Sequence, residues 1–161
     1  MRKMLAVCAA TTLGMTGIAQ AQSPISAQLA GKTCVGTFDT GLAYQQNGRG
    51  AFVLRFELEG GALVASHSSN LGETAYQRGA RWVKNDAVTA TAVSDVVSDP
   101  DARVQDLRVD GQTISFWTSK RNYFSLQLNQ QGKFVGTVDP RQNPNARADW
   151  AVASIQGLCG K

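Results

Sequence analysis

Cysteine, histidine and proline are scarce in this chain. Its 161 residues hold three cysteines, one histidine and four prolines. Each scarcity excludes something. One histidine and three cysteines, of which Cys8 lies in the N-terminal apolar segment, leave too few N/S donors for a four-ligand structural zinc site. The lone histidine, His67, has Ser66, Ser68 and Ser69 around it, but no carboxylate nearby in sequence to orient it as the base of a nucleophile. Apolar runs are short, and none reaches the roughly 20 residues of a membrane-spanning helix. There is no heptad pattern and no internal repeat. Charge is sparse too, at 17% of residues, with 16 basic against 12 acidic side chains. That balance is too even and too dispersed for a nucleic-acid surface.

The N-terminus reads as a leader. Arg2 and Lys3 precede a mostly small and apolar stretch, Met4 to Ile18, interrupted by Thr11, Thr12 and Gly14. It ends on Ala19-Gln20-Ala21, the small-x-small pattern of a secretory cleavage site. Cys8 has no apolar run before it, which argues against a lipid anchor. Residues 1–21 are therefore expected to be a signal peptide, and 22–161 a single domain with no membrane span. Loss of Arg2 and Lys3 leaves 14 basic residues and a net charge of +2. The expected destination is outside the cytoplasm, in the periplasm or the medium.

Export gives the two remaining cysteines a meaning. Cys34 and Cys159 lie near the two ends of the mature chain, in a compartment that permits disulfides, and only one intramolecular pairing exists. Closing so long a loop is worth up to about 5 kcal/mol on the chain-entropy account.

The hydrophobic period is almost everywhere two. "AFVLRFELE" places Phe52, Leu54, Phe56 and Leu58 on one face. Val53, Arg55, Glu57 and Glu59 fall on the other, which is expected to be wet. "TISFWTS" and "YFSLQLN" repeat the pattern with Ile114 and Phe116, then Phe124, Leu126 and Leu128. Gly60-Gly61, Asp110-Gly111, Lys120-Arg121-Asn122 and Gln130-Gln131-Gly132 supply turns. The expected strands lie near 33–38, 51–59, 62–69, 78–84, 87–96, 104–109, 112–118, 122–129 and 133–139, with a last one near 148–156. "SDPDARVQDL", with Asp99 before Pro100, is read as a loop leading into a strand.

Short connections make sequence neighbours spatial neighbours, which describes an antiparallel meander. In an open sheet its first and last strands are far apart, whereas in a closed barrel they touch. A Cys34–Cys159 bond therefore favours an all-β, single up-and-down barrel of about 8–10 strands; a Greek-key sandwich is the other fold that brings the ends together. Leu29-Ala30-Gly31-Lys32 leading into Gly36-Thr37-Phe38, and the later "QGKFVGTV", resemble the hairpins of the calycin group, the lipocalins and avidin-like proteins. Phe38 stands where a lipocalin has tryptophan. The resemblance implies a lipocalin-like cup able to hold a small apolar molecule.

The candidate site follows from register. If Gly60-Gly61 is a two-residue turn, Leu58 opposes Leu63, Phe56 opposes Ala65 and Leu54 opposes His67, so His67 points inward. There it is a hydrogen-bonded residue at the barrel mouth, a polar contact for a ligand, or a ligand of haem iron. The candidate ligand-binding set is His67, Phe52, Phe56, Phe116 and Phe124. No catalytic residue, metal site or cofactor is expected. Asp95, Asp99 and Asp101 lack the glycine and closing glutamate of a calcium loop. Arg78 and Lys84 share strand parity with Tyr76 and Trp82, a mixed face that suits an anion, a sugar or a partner protein, or simply a wet outer surface. The irregular "DPRQNPNARADW" could lie over a barrel mouth. Two functions follow: a small, mostly apolar ligand held in the barrel, or a protein partner held by the outside of a packed barrel, as in an inhibitor, immunity factor or surface accessory. The balance of inner side chains separates them. Ala65 and Gly136 favour a cup, and the phenylalanines favour a filled core.

Overall fold

The computed structural model describes residues 24–41, 48–97, 102–146 and 151–160. Nine strands form one antiparallel sheet: β1 (Thr33–Asp39), β2 (Arg49–Glu59), β3 (Ala62–Leu71), β4 (Ala102–Arg103), β5 (Gln105–Asp110), β6 (Thr113–Trp117), β7 (Tyr123–Leu128), β8 (Lys133–Asp139) and β9 (Ala153–Cys159). Three helices accompany them: α1 (Pro24–Leu29), α2 (Glu73–Lys84) and α3 (Ala90–Val96). Their order in the sheet is β4-β3-β2-β1-β9-β8-β7-β6-β5. Only Val104 separates β4 from β5, so the two edges of the sheet are the halves of one broken strand. The sheet is thus a nearly closed up-and-down barrel, as the meander and the terminal cysteines suggested. No described helix is long and apolar enough to cross a membrane.

The termini meet as expected. β1 pairs with β9 from Cys34↔Cys159 to Asp39↔Ser154, and the two cysteines are bonded, with Cα atoms 3.9 Å apart. That is closer than the usual range of about 4.4–6.8 Å. Gly160 N–H donates to Thr33 O on one side of the pair, and Cys159 N–H turns away to Gly132 O. The cysteines therefore oppose each other as a non-hydrogen-bonded pair, the closest approach an antiparallel ladder offers.

The largest correction concerns residues 78–84 and 87–96, expected as strands. Residues 78–84 lie in α2, and 90–96 form α3 after its cap at Thr89. In α2, Ala75 and Gly79 are the buried positions, four apart on one helical face, and Glu73 and the pair Arg81 and Lys84 sit at the ends the helix dipole favours. Thr89 caps α3, its hydroxyl accepting from Ala92 N–H at 3.1 Å. The helices cover the outer face of β1 and β2, so Val53 is fully buried rather than wet. Val35, Ala51, Val53, Ala75, Val96 and Val97 make a second core there, separate from the one inside the barrel. The strand parity of Tyr76, Arg78, Trp82 and Lys84 accordingly dissolves. Trp82 Nε1–H donates to Asp95 Oδ2 at 3.0 Å, and Arg78 pairs with the same carboxylate at 3.7 Å.

Smaller shifts are local. The last strand is 153–159 rather than 148–156, and the β5–β6 turn residues are Gly111-Gln112, between Asp110 and its partner Thr113. The stretch 98–101, with Asp99, Pro100 and Asp101, and residues 1–23 lie outside the described residues.

Candidate functional site

The β2–β3 hairpin sets the register of the barrel interior. Gly60 and Gly61 both have positive φ (57° and 84°), which a non-glycine residue adopts only at a cost. Their two-residue turn pairs Leu58 with Leu63, Phe56 with Ala65 and Leu54 with His67, as read from the sequence. His67 is 9% exposed and faces the barrel axis.

Four of the five candidate residues meet there. The Phe52 ring lies 5.9 Å from His67 and 5.4 Å from Phe124, His67 lies 5.1 Å from Phe124, and Phe116 stacks on Phe124 at 5.0 Å. Phe124 meets Phe52 and His67 edge to face, whereas Phe52 with His67 and Phe116 with Phe124 are stacked, both favourable arrangements of rings. Phe56 belongs to the same core, and its backbone extends the β1–β2 ladder toward α1. Its N–H donates to Lys32 O and its carbonyl accepts from Gly31 N–H, both at 2.9 Å, where the chain leaves α1.

Phe134 is a member of the ring cluster that sequence reading missed, 6.1 Å from Phe52. Its signal was the glycine opposite. Phe134 pairs with Gly157 and Phe52 pairs with Gly36, while Gly36 and Gly157 pair with each other across β1 and β9. A Cβ on Gly157 would lie 2.0 Å from Phe134 Cζ, and one on Gly36 would lie 2.4 Å from Phe52 Cζ. Two absent side chains thus make the floor on which two rings lie flat, beside the disulfide. Gly136, counted earlier as space for a ligand, is crowded by backbone: its Cβ would meet Ser125 O.

Both ends of the barrel are dressed. At the disulfide end α1 inserts Ile25 and Leu29 into the core, and Gln28 Nε2–H donates to Asn129 O at 3.2 Å. Ser23-Pro24 before this turn and Gly31 after it were its unused sequence signals. A shallow cleft of about 200 Å³ lies beside it, lined among others by Gln28, Lys32, Gln131 and Cys159. At the opposite end the described part of the "DPRQNPNARADW" segment folds back. Asn143, 9% exposed, donates from Nδ2 to Asn122 Oδ1 at 3.2 Å. Asn122 N–H in turn donates to Thr118 Oγ1.

Charge stays outside the barrel. Arg49 joins Asp39 at 3.0 Å and Glu73 at 2.8 Å, with its guanidinium 4.8 Å over the Tyr76 ring. That hydrogen bond holds the Glu73 carboxyl below its ordinary range. Arg141 does the same to Asp139. Arg103 grips Glu59 with two bonds of 2.6 and 2.9 Å, and Glu59 is likewise lowered. Among the described residues no three histidine, cysteine or acidic side chains converge as a metal site. Thr37 Oγ1 and Ser68 Oγ are buried without a hydrogen-bond partner. Thr37 lies directly beneath Gly79 of α2.

Comparison with known protein families, with characterised proteins and with solved structures finds no match to this chain.

Proposed function

We propose that the chain is an exported, non-enzymatic binding module whose barrel is a packed scaffold and whose partner, a protein, is engaged from outside. One observation carries this choice between the two readings open from sequence. The rings of Phe52, Phe116, Phe124, Phe134 and His67 interlock across the axis with centroids 5.0–6.1 Å apart. A cup for a small apolar ligand needs an apolar wall with space in front of it. Here the residues of that wall are in contact with one another. Eight-stranded barrels of this kind are just wide enough to be filled by their own side chains. The small-ligand reading keeps one element in its favour, the inward His67 as a polar group on an apolar surface.

Export is supported by Ala19-Gln20-Ala21 after the apolar stretch, and a disulfide suits an oxidising compartment. Mass analysis of the mature N-terminus should find Gln22 first; an intact Met1 or a lipid on Cys8 rejects it. Native mass spectrometry of the protein purified from its own host tests the function. A co-purifying protein at fixed stoichiometry supports the packed-scaffold reading. A retained small molecule, lost on His67→Ala, overturns it in favour of the cup.

A further inference from the structure

We infer that the incomplete closure between β3 and β5 is a strand-addition site, and that its occupant is an extended segment of the partner protein with alternating apolar side chains. This inference rests on the protein-binding reading above and specifies where and how the partner docks.

The barrel closes on itself twice, and the second closure is partial. Among the described residues β3 pairs with β4 only at Ser66↔Arg103 and His67↔Ala102, followed by one further bond from Val104 N–H to Ala65 O. Beyond that point the ladder stops. Among the described residues β5 pairs with β6 alone, and Ala62–Val64 of β3 pairs with β2 alone. Asp106 marks the reason. Its φ of 52° is left-handed, and the β5–β6 register shifts between Gln105 and Arg108, so a bulge turns β5 away from β3.

What the gap displays is apolar. Leu63 on one lip and Leu107 and Val109 on the other are only partly buried against the barrel core. Leu58, opposite Leu63 on the same inward face, is 46% exposed. Edges are blunted by bulges, short strands, inward charges or proline; this one has the bulge and the short β4 but neither of the last two. Here the inward positions are leucine and valine.

Two needs coincide, and one kind of occupant meets both. The edges of β3 and β5 present backbone groups outside the ladders to β2 and β6, and their side chains present apolar surface at every second residue. An extended peptide supplies ladder bonds and alternate apolar side chains together. A lipid tail or a small apolar molecule covers the leucines and leaves the backbone edge unsatisfied, and a helix or a flat folded surface cannot reach it.

The test uses fluorescence anisotropy with the full mature, oxidised protein. The probe is a labelled octapeptide of alternating threonine and valine between terminal lysines, and the control carries a central proline. Saturable binding is expected, at least about tenfold weaker for the proline peptide, which lacks the donor N–H. Leu107→Lys puts an inward charge on the edge and should weaken binding by a similar factor, with circular dichroism unchanged; Val109→Lys is the second variant should the first fail to fold. No saturable binding, or binding indifferent to the proline and to both lysines, overturns the site. A wild-type dimer that Leu107→Lys dissociates assigns the edge to a second copy and likewise overturns it. A host partner that Leu107→Lys still retains refutes this site while leaving the protein-binding function standing. No partner at all removes the function, and the peptide titration still reads the site.

Discussion

The two closures of the barrel differ in every respect that matters for strength. The terminal one, β1 to β9, runs through six consecutive residue pairs and is fastened by the Cys34–Cys159 bond. Gly36 and Gly157 sit within it and let Phe52 and Phe134 lie across the joint. The mid-chain one, β3 to β4, has two pairs, no covalent bond and a bulge beside it. Chain connectivity explains the inequality. The cysteines that join the terminal strands are 125 positions apart in sequence, so their closure costs the most entropy and gains most from a crosslink. The mid-chain closure is made by strands linked through α2 and α3, and those helices pack on β1 and β2 instead of on the joint. The well-fastened joint carries the fold, and the weak one is held by few bonds.

The comparison breaks most visibly at the disulfide. Cys159→Ser should lower stability by about 2–5 kcal/mol, the usual cost of losing a native bridge in a small secreted domain. Chemical denaturation reads it directly. An unchanged midpoint, or two free thiols in the unreduced denatured protein, refutes the assignment of strength to this joint. Next in size is Gly157→Ala, which drives a methyl into the Phe134 ring. Overpacking of this kind costs about 1–3 kcal/mol. The same substitution at Gly61, where no atom lies within 4 Å of the added carbon, meets only the backbone penalty of a positive φ. A Gly157→Ala variant no less stable than Gly61→Ala would show that the ring does not lean on the glycine.

Much of the barrel was legible, and what was missed has a common cause. Alternation in Phe52, Leu54 and Phe56 located the inner face, Gly60-Gly61 fixed the register that turns His67 inward, and two cysteines announced the joint. The helices were misread because Val88, Thr89, Thr91 and Val93 carry strand propensity, and because Tyr76, Arg78, Trp82 and Lys84 happen to share parity two. The usable signal lay elsewhere, on the outer face of the strands. Val35, Ala51 and Val53 are apolar where a wet face should be polar, and such a face needs a cover. The weak closure had no sequence signal of its own, since a bulge at Asp106 arises from pairing context rather than from a residue type that demands it.

The difference between the closures can be sharpened without mutation. Amide hydrogen exchange reports local opening, and joints with few ladder bonds open first. Amides that bond across β1–β9, such as Gly160 to Thr33, should be protected to nearly the global stability. Val104, whose N–H bonds to Ala65 O, should exchange by local opening at least about tenfold faster under native conditions. Equal protection at the two places would mean that the barrel opens only as a unit and that the mid-chain joint is not weak.

The smallest effect concerns the one ion pair that reaches across the weak closure. Arg103 of β4 passes over β3 to hold Glu59 at the end of β2. Both side chains are about half exposed, at 53% and 54%, so the pair is screened by salt and contributes little to global stability. The hydrogen bond from Arg103 lowers the Glu59 pKa from its ordinary 4.5. A carboxylate lowered by folding stabilises the folded state fully above its unfolded value and loses that contribution as pH falls through its lower folded value. Acidification from neutrality to well below the ordinary glutamate value should therefore loosen the β3–β4 joint and leave the covalent β1–β9 joint unaffected. Glu59→Gln, which no longer titrates, should produce the loosened state at neutral pH and abolish its further response to acid. The readout is the exchange of Val104 relative to Gly160 in the same sample, which cancels the intrinsic pH dependence of exchange to first order. A ratio that does not move with pH or with Glu59→Gln would leave the joint held by its two ladder pairs alone, with the ion pair a surface ornament.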